Sequence, residues 1–153
     1  MTIVSDSGPL ITLARIERFA LLRELFGRIN IPQAVYEEVT IAGEGLPGSQ
    51  EVQDAVGTWM EIRPVQEPLL ARGMFTLGRG EAEAIALALE TEADAILLDD
   101  KRARRAAKFM GLFLSGTVGV LRLALEEGKI EDWDKVLKEL KAHGFWISEE
   151  VIH

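Results

Sequence analysis

The chain has 153 residues, 48% of them apolar and 27% charged, with a net charge of −8 at pH 7. That length suits one domain with its own hydrophobic core, and the composition reads as globular rather than disordered. With no cysteine and only two histidines, His143 and His153, disulfides, thiolate metal sites and a cysteine nucleophile are excluded, a reducing cytosol fits, and histidine catalysis has little to work with.

Met1 to Leu10 carries Asp6 and no basic lead, so it does not read as a secretory signal. Thr2 to Ser5 is a short β-rich run. Gly8-Pro9 opens an apolar helical stretch from Leu10 to Ile16, which Phe19, Leu22, Leu25 and Phe26 continue at helical spacing until Gly27. Ile29 to Ile31 predicts a strand, and Pro32 suits the first position of a helix reaching Val39. Gly43, Gly45, Pro47 and Gly48 mark the clearest loop, expected to form an exposed, mobile flap. Glu51 to Val56 predicts a short helix, and Trp59 to Val65 a strand that Pro64 keeps near a sheet edge. A helix over Glu81 to Glu92, a buried strand over Ala95 to Leu98 and a helix over Lys101 to Met110 follow. Leu112 to Leu114, Thr117 to Glu127 and Ile130 to Ala142 add a strand and two helices. This alternation predicts an α/β fold with a mostly parallel sheet covered on both faces. The longest near-apolar run, Phe109 to Leu121, contains Gly, Ser and Thr and is too short to span a bilayer. The expectation is a soluble, cytoplasmic protein without repeats or low-complexity tracts.

In open parallel sheets, ligands collect beyond the carboxyl ends of the strands. Asp6 and Asp99-Asp100 each follow a predicted strand, so they belong on one edge. Glu38 and Glu81 lie on helices that can reach that edge. At about 100° per residue, Glu37 sits about 200° from Val35 and Val39 and is expected in solvent, while Glu38 borders the buried face. By the same rule Glu81 falls near Ile85 and Ala88, opposite Glu83, Leu87 and Glu90. Gly78 and Gly80 let backbone approach closely beside Glu81. Each acid also has a structural reading: Asp6 and Asp99-Asp100 as helix caps, Glu81 as a first-turn acid complementing the helix dipole. Their joint placement favours function. Carboxylates in one cleft repel unless a proton or cation joins them, and an all-oxygen set suits a hard divalent metal and metal-assisted cleavage of a phosphodiester.

Net negative charge argues against phosphate binding, but its distribution is uneven. Lys101, Arg102, Arg104, Arg105 and Lys108 crowd one helix directly after Asp99-Asp100, whereas Glu126 to Glu150 holds eight acids against four lysines. A local basic patch attracts a polyanion despite the total. A solvated helix face is the plainer reading of the same run.

Four segments together resemble the PIN domain, the ribonuclease fold of VapC-type toxins and RNA-processing nucleases. They are Val4-Ser5-Asp6-Ser7-Gly8-Pro9-Leu10-Ile11, Ile31-Pro32-Gln33-Ala34-Val35-Tyr36-Glu37-Glu38-Val39, Gly78-Arg79-Gly80-Glu81-Ala82-Glu83-Ala84-Ile85-Ala86-Leu87-Ala88 and Ile96-Leu97-Leu98-Asp99-Asp100. The closing Gly116-Thr117-Val118-Gly119-Val120-Leu121 is similar to a mostly uncharacterised branch of predicted PIN proteins. The resemblance implies a single three-layer α/β/α domain over 1–153 and metal-dependent hydrolysis of single-stranded RNA, leaving a 5′-phosphate and a 3′-hydroxyl. Carried across by position, Asp6 and Asp100 are the primary ligands of one or two Mg²⁺ or Mn²⁺ ions. Glu38 and Glu81 bind directly or through water, and Asp99 orients the attacking water or ends the strand. Arg102 and Arg105, with Lys101, are placed to hold a flanking phosphate. Thr117 either touches the metal's water shell or caps a helix. Three positions depart from the family pattern: Leu98 replaces a hydroxyl residue, Gly8 a frequent Ser or Asn, and Glu81 the commoner Asp.

If the chain is a toxin, an antitoxin is expected to insert a peptide into the acidic cleft. Apolar residues near Phe19, Leu22 and Phe26, or at Phe145-Trp146-Ile147, would serve that partner or a homodimer, unless they are core, where helical spacing places Trp133, Leu137 and Leu140 as well. A PIN-like module that binds nucleic acid or protein without cutting is the main alternative. A receiver-like phosphotransfer domain is the other, but it lacks the expected Lys after a late strand, where Ser115-Gly116-Thr117 stands instead.

Overall fold

Each predicted strand finds a parallel neighbour in the computed structural model, which describes residues 1–67 and 76–145. The strands are β1 (Ile3–Ser5), β2 (Ile29–Ile31), β3 (Met60–Ile62), β4 (Ala95–Leu97) and β5 (Leu114–Ser115). They form one five-stranded sheet in the order β3-β2-β1-β4-β5, every pairing parallel. Pro64 follows β3, the edge strand, as expected.

The helices are α1 (Ser7–Arg15), α2 (Leu21–Phe26), α3 (Gln33–Tyr36), a π-helix (Glu37–Ala42), α4 (Ser49–Ala55), α5 (Arg79–Glu90), α6 (Lys101–Phe109), α7 (Thr117–Glu126) and α8 (Trp133–Ala142). They cover both sides of the sheet, giving three α/β/α layers. Because strand side chains alternate faces, Val4, Ile96 and Leu98 pack with Ala84, Ile85 and Ala88 of α5 and Ala103 and Ala107 of α6. Ile3 and Leu97 turn to the other side, against Leu10 and Leu13 of α1, Leu121 of α7 and Leu140 of α8. Cover on both faces leaves every residue of β1 and β2 buried, the polar Ser5 and Asn30 included.

Phe19 and Leu22 are buried in that second core and Phe26 packs against it, so they are core rather than a docking face. Trp133, Leu137 and Leu140 join them. Trp146 and Ile147 lie outside the described residues. No helix among the described residues is long and apolar enough to cross a membrane.

The predicted helix from Pro32 to Val39 is corrected. Pro32 is the cap, the α-helical part ends at Tyr36, and the chain then winds more widely as a π-helix. The Thr40 hydroxyl donates to the Tyr36 carbonyl at 2.7 Å, competing for a backbone acceptor that α-helical winding uses. Such π turns, with bonds from i to i+5, rotate each side chain less than an α-helix does. The consequence falls on Glu37 and Glu38.

The chain leaves β1 toward β2 on one side and later crosses back to place β4 on the other. The point where strand order reverses is the β1–β4 boundary, and the crevice beyond its carboxyl end is where an open α/β sheet binds ligands. Asp6 follows β1 directly, and Asp99 stands two residues past β4.

Candidate functional site

Asp6 occupies the cap position of α1, yet its side chain makes no capping hydrogen bond. The residue is only 6% exposed, and its Oδ1 is the one buried side-chain oxygen or nitrogen among the described residues without a hydrogen-bond partner. Burial pushes its pKa up from the ordinary 3.8 to about 7; the Ser7 amide opposes the shift, and the charges of Glu81, Glu38 and Asp99 add to it. Three of the other predicted acids are therefore within electrostatic reach of Asp6.

Glu38 reaches this site from the π-helix. Its Oε2 accepts from the Ser7 hydroxyl at 2.6 Å and its Oε1 from the Gly80 amide at 2.9 Å. A Cβ on Gly80 would collide with that carboxylate, so glycine is what lets the amide approach. The expected contrast between Glu37 and Glu38 is corrected. Glu38 is the more exposed of the two, and Glu37 is half-covered by an ion pair with Arg79 at 2.9 Å. The π winding turns both acids toward the start of α5.

Glu81 is half-buried in the first turn of α5, where its Oε1 accepts from the Gly78 amide at 3.0 Å. Burial raises its pKa, Gly78 opposes this, and the neighbouring Asp100 and Glu38 raise it further. Glu83, expected on a far side, instead accepts from the Ala34 amide at 3.2 Å and pairs with Arg79 at 3.0 Å. It thereby satisfies an otherwise unpaired donor at the start of α3.

Asp99 and Asp100 divide sharply. Asp100 is exposed and caps α6, its Oδ2 accepting from the Ala103 amide at 3.0 Å. Asp99 is the inner acid: Thr117 donates its amide to Oδ1 at 2.7 Å and its hydroxyl to Oδ2 at 2.6 Å. Burial raises the Asp99 pKa, while the Thr117 bonds and Arg104 hold it down. The expectation that Thr117 caps α7 is corrected: the cap is Gly116, and Thr117 is the first helical residue. A Cβ on Gly116 would lie 2.6 Å from Asp99 Oδ1 and 3.0 Å from the Leu98 carbonyl oxygen, so only glycine allows the Asp99–Thr117 pairing at this distance.

The family model described as "DUF3368: PIN domain" matches residues 2–153. The chain belongs to the PIN-domain family. No curated protein matched it. The fold is thus of nuclease type, in a family that typically uses divalent metals. The donors in this PIN domain fit such a cation in kind, being oxygens throughout, and Asp6 Oδ1 is a buried oxygen left without any other partner. Among the described residues no three acids already stand as a ligand set, consistent with Glu38, Glu81, Asp99 and Asp100 each holding a hydrogen bond to a neighbour.

Lys101, Arg102 and Arg105 are exposed on α6. Arg104, on the same helix, reaches back to the strand end, its Nη1 donating to the Leu98 carbonyl at 2.7 Å beside Asp99. Ser7 and Thr117 also hold the acids. Their one sequence signal is a hydroxyl immediately after a predicted strand or glycine turn.

Two predictions follow from these contacts. The unfolded Asp6 ionises near its ordinary pKa and the folded one near 7, so the folded state loses stability as pH rises from about 4 to about 7, on the order of 4 kcal/mol at most. Asp6→Asn should raise metal-free stability by about 1–3 kcal/mol at pH 8 and by little at pH 4, read from urea unfolding at both pH values. Thr117→Val removes the hydroxyl donor to Asp99 while keeping the amide, and should lower stability by about 1–3 kcal/mol, read from urea unfolding. Unchanged stability would contradict that assignment.

Proposed function

We propose that this PIN domain is a metal-dependent ribonuclease acting on single-stranded RNA. The observation that carries the reading is the unpartnered Asp6 Oδ1, buried at the switch point and ringed by the charges of Glu38, Glu81 and Asp99. Asp6 would hold Mg²⁺ or Mn²⁺ centrally, with Glu38, Glu81 and the outer oxygen of Asp100 completing the set directly or through water. A bound divalent ion there supplies charge neutralisation at the phosphate and makes water a stronger nucleophile.

The chain's own residues would do the rest. Ser7 and the Gly80 amide fix the Glu38 carboxylate, and the Gly78 amide fixes Glu81, so the two acids are held before substrate arrives. Asp99 is locked by Thr117 and burial raises its pKa, which suits it to orient the attacking water and take up a proton. In the hydrolysis, the water oxygen bonds to phosphorus and the bond from phosphorus to the 3′-oxygen breaks. That oxygen gains a proton, giving a 3′-hydroxyl and a 5′-phosphate. Exposed Lys101, Arg102 and Arg105 lie one helix turn or so from Asp100 and would meet flanking phosphates.

A second reading, a PIN-domain module that binds without cutting, is favoured by one fact. The four acids besides Asp6 already have hydrogen-bond partners, and no three stand as a ligand set among the described residues. Incubation of a mixed-sequence single-stranded RNA with Mn²⁺ separates the two. The ribonuclease reading expects cutting that EDTA abolishes and that Asp6→Asn and Asp100→Asn each reduce at least 100-fold, on the order of 3 kcal/mol of barrier. RNA left intact by folded wild-type protein, with metal bound, would leave the binding module.

A further inference from the structure

A groove of ≈ 410 Å³ runs between α6 and the edge strand β5, lined by Arg104, Arg105, Lys108, Leu112, Phe113 and Leu114. It lies beside the acids rather than among them. Two of its properties are unusual together. The chain carries −8 overall, yet residues 101–108 hold five cations and no acid. Arg105 and Lys108 are exposed and have no ion-pair partner among the described residues. At the same corner Phe113 is 77% exposed and Phe109, four residues past Arg105 on α6, is 93% exposed. Burial of a phenylalanine ring is strongly favourable, so two left in water at one basic corner call for an occupant.

The chemistry narrows that occupant. A second copy packed face to face about a two-fold axis would set cations against cations, which disfavours that self-association through this face. An apolar partner would cover the rings but strip water from the cations without pairing them. What satisfies both is a polyanion with flat apolar faces, the description of an unpaired nucleic-acid strand: phosphates meet Lys and Arg while bases stack on aromatic rings. A double helix hides its base faces and cannot use the rings. The groove also connects to the acids, because Arg104, which lines it, donates to the Leu98 carbonyl next to Asp99.

We infer that the α6–β5 groove is a binding track for single-stranded RNA, with phosphates on Arg105 and Lys108 and a base stacked on Phe113. The choice of RNA rests on the ribonuclease reading above. The track places the strand flanking the cleaved bond along β5, and it makes the protein selective for unpaired over duplex substrate.

Fluorescence anisotropy of a labelled 12-nucleotide single strand, with Ca²⁺ in place of Mn²⁺ so that the acids stay neutralised, reads binding, and a gel of the recovered strand confirms that it is uncut. Phe113→Ala should weaken binding about 10-fold or more. Arg105→Ala with Lys108→Ala should reduce the slope of log affinity against log salt by about 1.4. Arg23→Ala, on α2 and outside the groove, should change neither, and duplex RNA should be insensitive to Phe113→Ala. Groove variants that keep their fold by circular dichroism yet bind like wild type would overturn the track, as would absence of RNA binding by the wild type. A poly-glutamate peptide bound as tightly, with the same dependence on Phe113, would assign the groove to an acidic protein segment instead. Cleavage by Mn²⁺-loaded wild type, with groove variants binding normally, sinks the track alone. Groove-dependent binding without cleavage keeps the track and sinks the ribonuclease.

Discussion

Asp6 is buried at the head of α1 with one oxygen unpartnered, and its carboxylate is surrounded by the charges of three other acids. A buried charge in that setting costs stability as soon as it ionises. Much of the surrounding structure bears on this constraint. The all-parallel sheet places β1 beside β4, so Asp6 and Asp99 emerge on the same edge. Gly80 and Gly116 bring backbone to within reach of Glu38 and Asp99. Ser7 and Thr117 hold those two carboxylates, but no donor among the described residues reaches Asp6 Oδ1. A fold that satisfies the neighbours and leaves the central oxygen bare has the form expected where a cation supplies the missing interaction.

The layers were legible in the sequence because local patterns specify them. Ile29 to Ile31 reads as a strand from its β-branched ends, and the strands at Ile3–Ser5 and Ala95–Leu97 fall within a residue or so of their apolar runs. Placing Asp6 and Asp99-Asp100 on one edge required only the parallel topology. What was not legible depends on partners distant in the chain. The 3.6-residue period predicts opposite fates for Glu37 and Glu38, but the π turn from Glu37 to Ala42 breaks that period and brings both to α5. Asp99 and Asp100 are alike in sequence. Only the approach of Thr117 makes one an inner, tethered acid and the other an exposed cap. Arg104 likewise looks like its helix neighbours until its bond to the Leu98 carbonyl is seen.

The charge arrangement has a coherent physical sense. An acidic total keeps the chain from binding polyanions indiscriminately, while the cations are concentrated on α6, the helix that starts at the acid site. Attraction for a phosphate backbone is therefore local, and it lies next to carboxylates that would repel that backbone if no cation sat among them. On the ribonuclease reading proposed above, a cation neutralises the acids beside this basic helix when substrate is present.

Proton-linked calorimetry of Mn²⁺ binding addresses that claim most directly. At pH 6.5 a carboxyl with a pKa of about 7 is mostly protonated in the metal-free protein, so a cation bound at Asp6 must displace its proton. Titrations in buffers of different ionisation enthalpy should show release of up to about one proton per bound ion from the wild type, falling to near zero for Asp6→Asn together with weaker binding. Binding that releases no proton, or that survives Asp6→Asn unchanged, would contradict an Asp6-centred site.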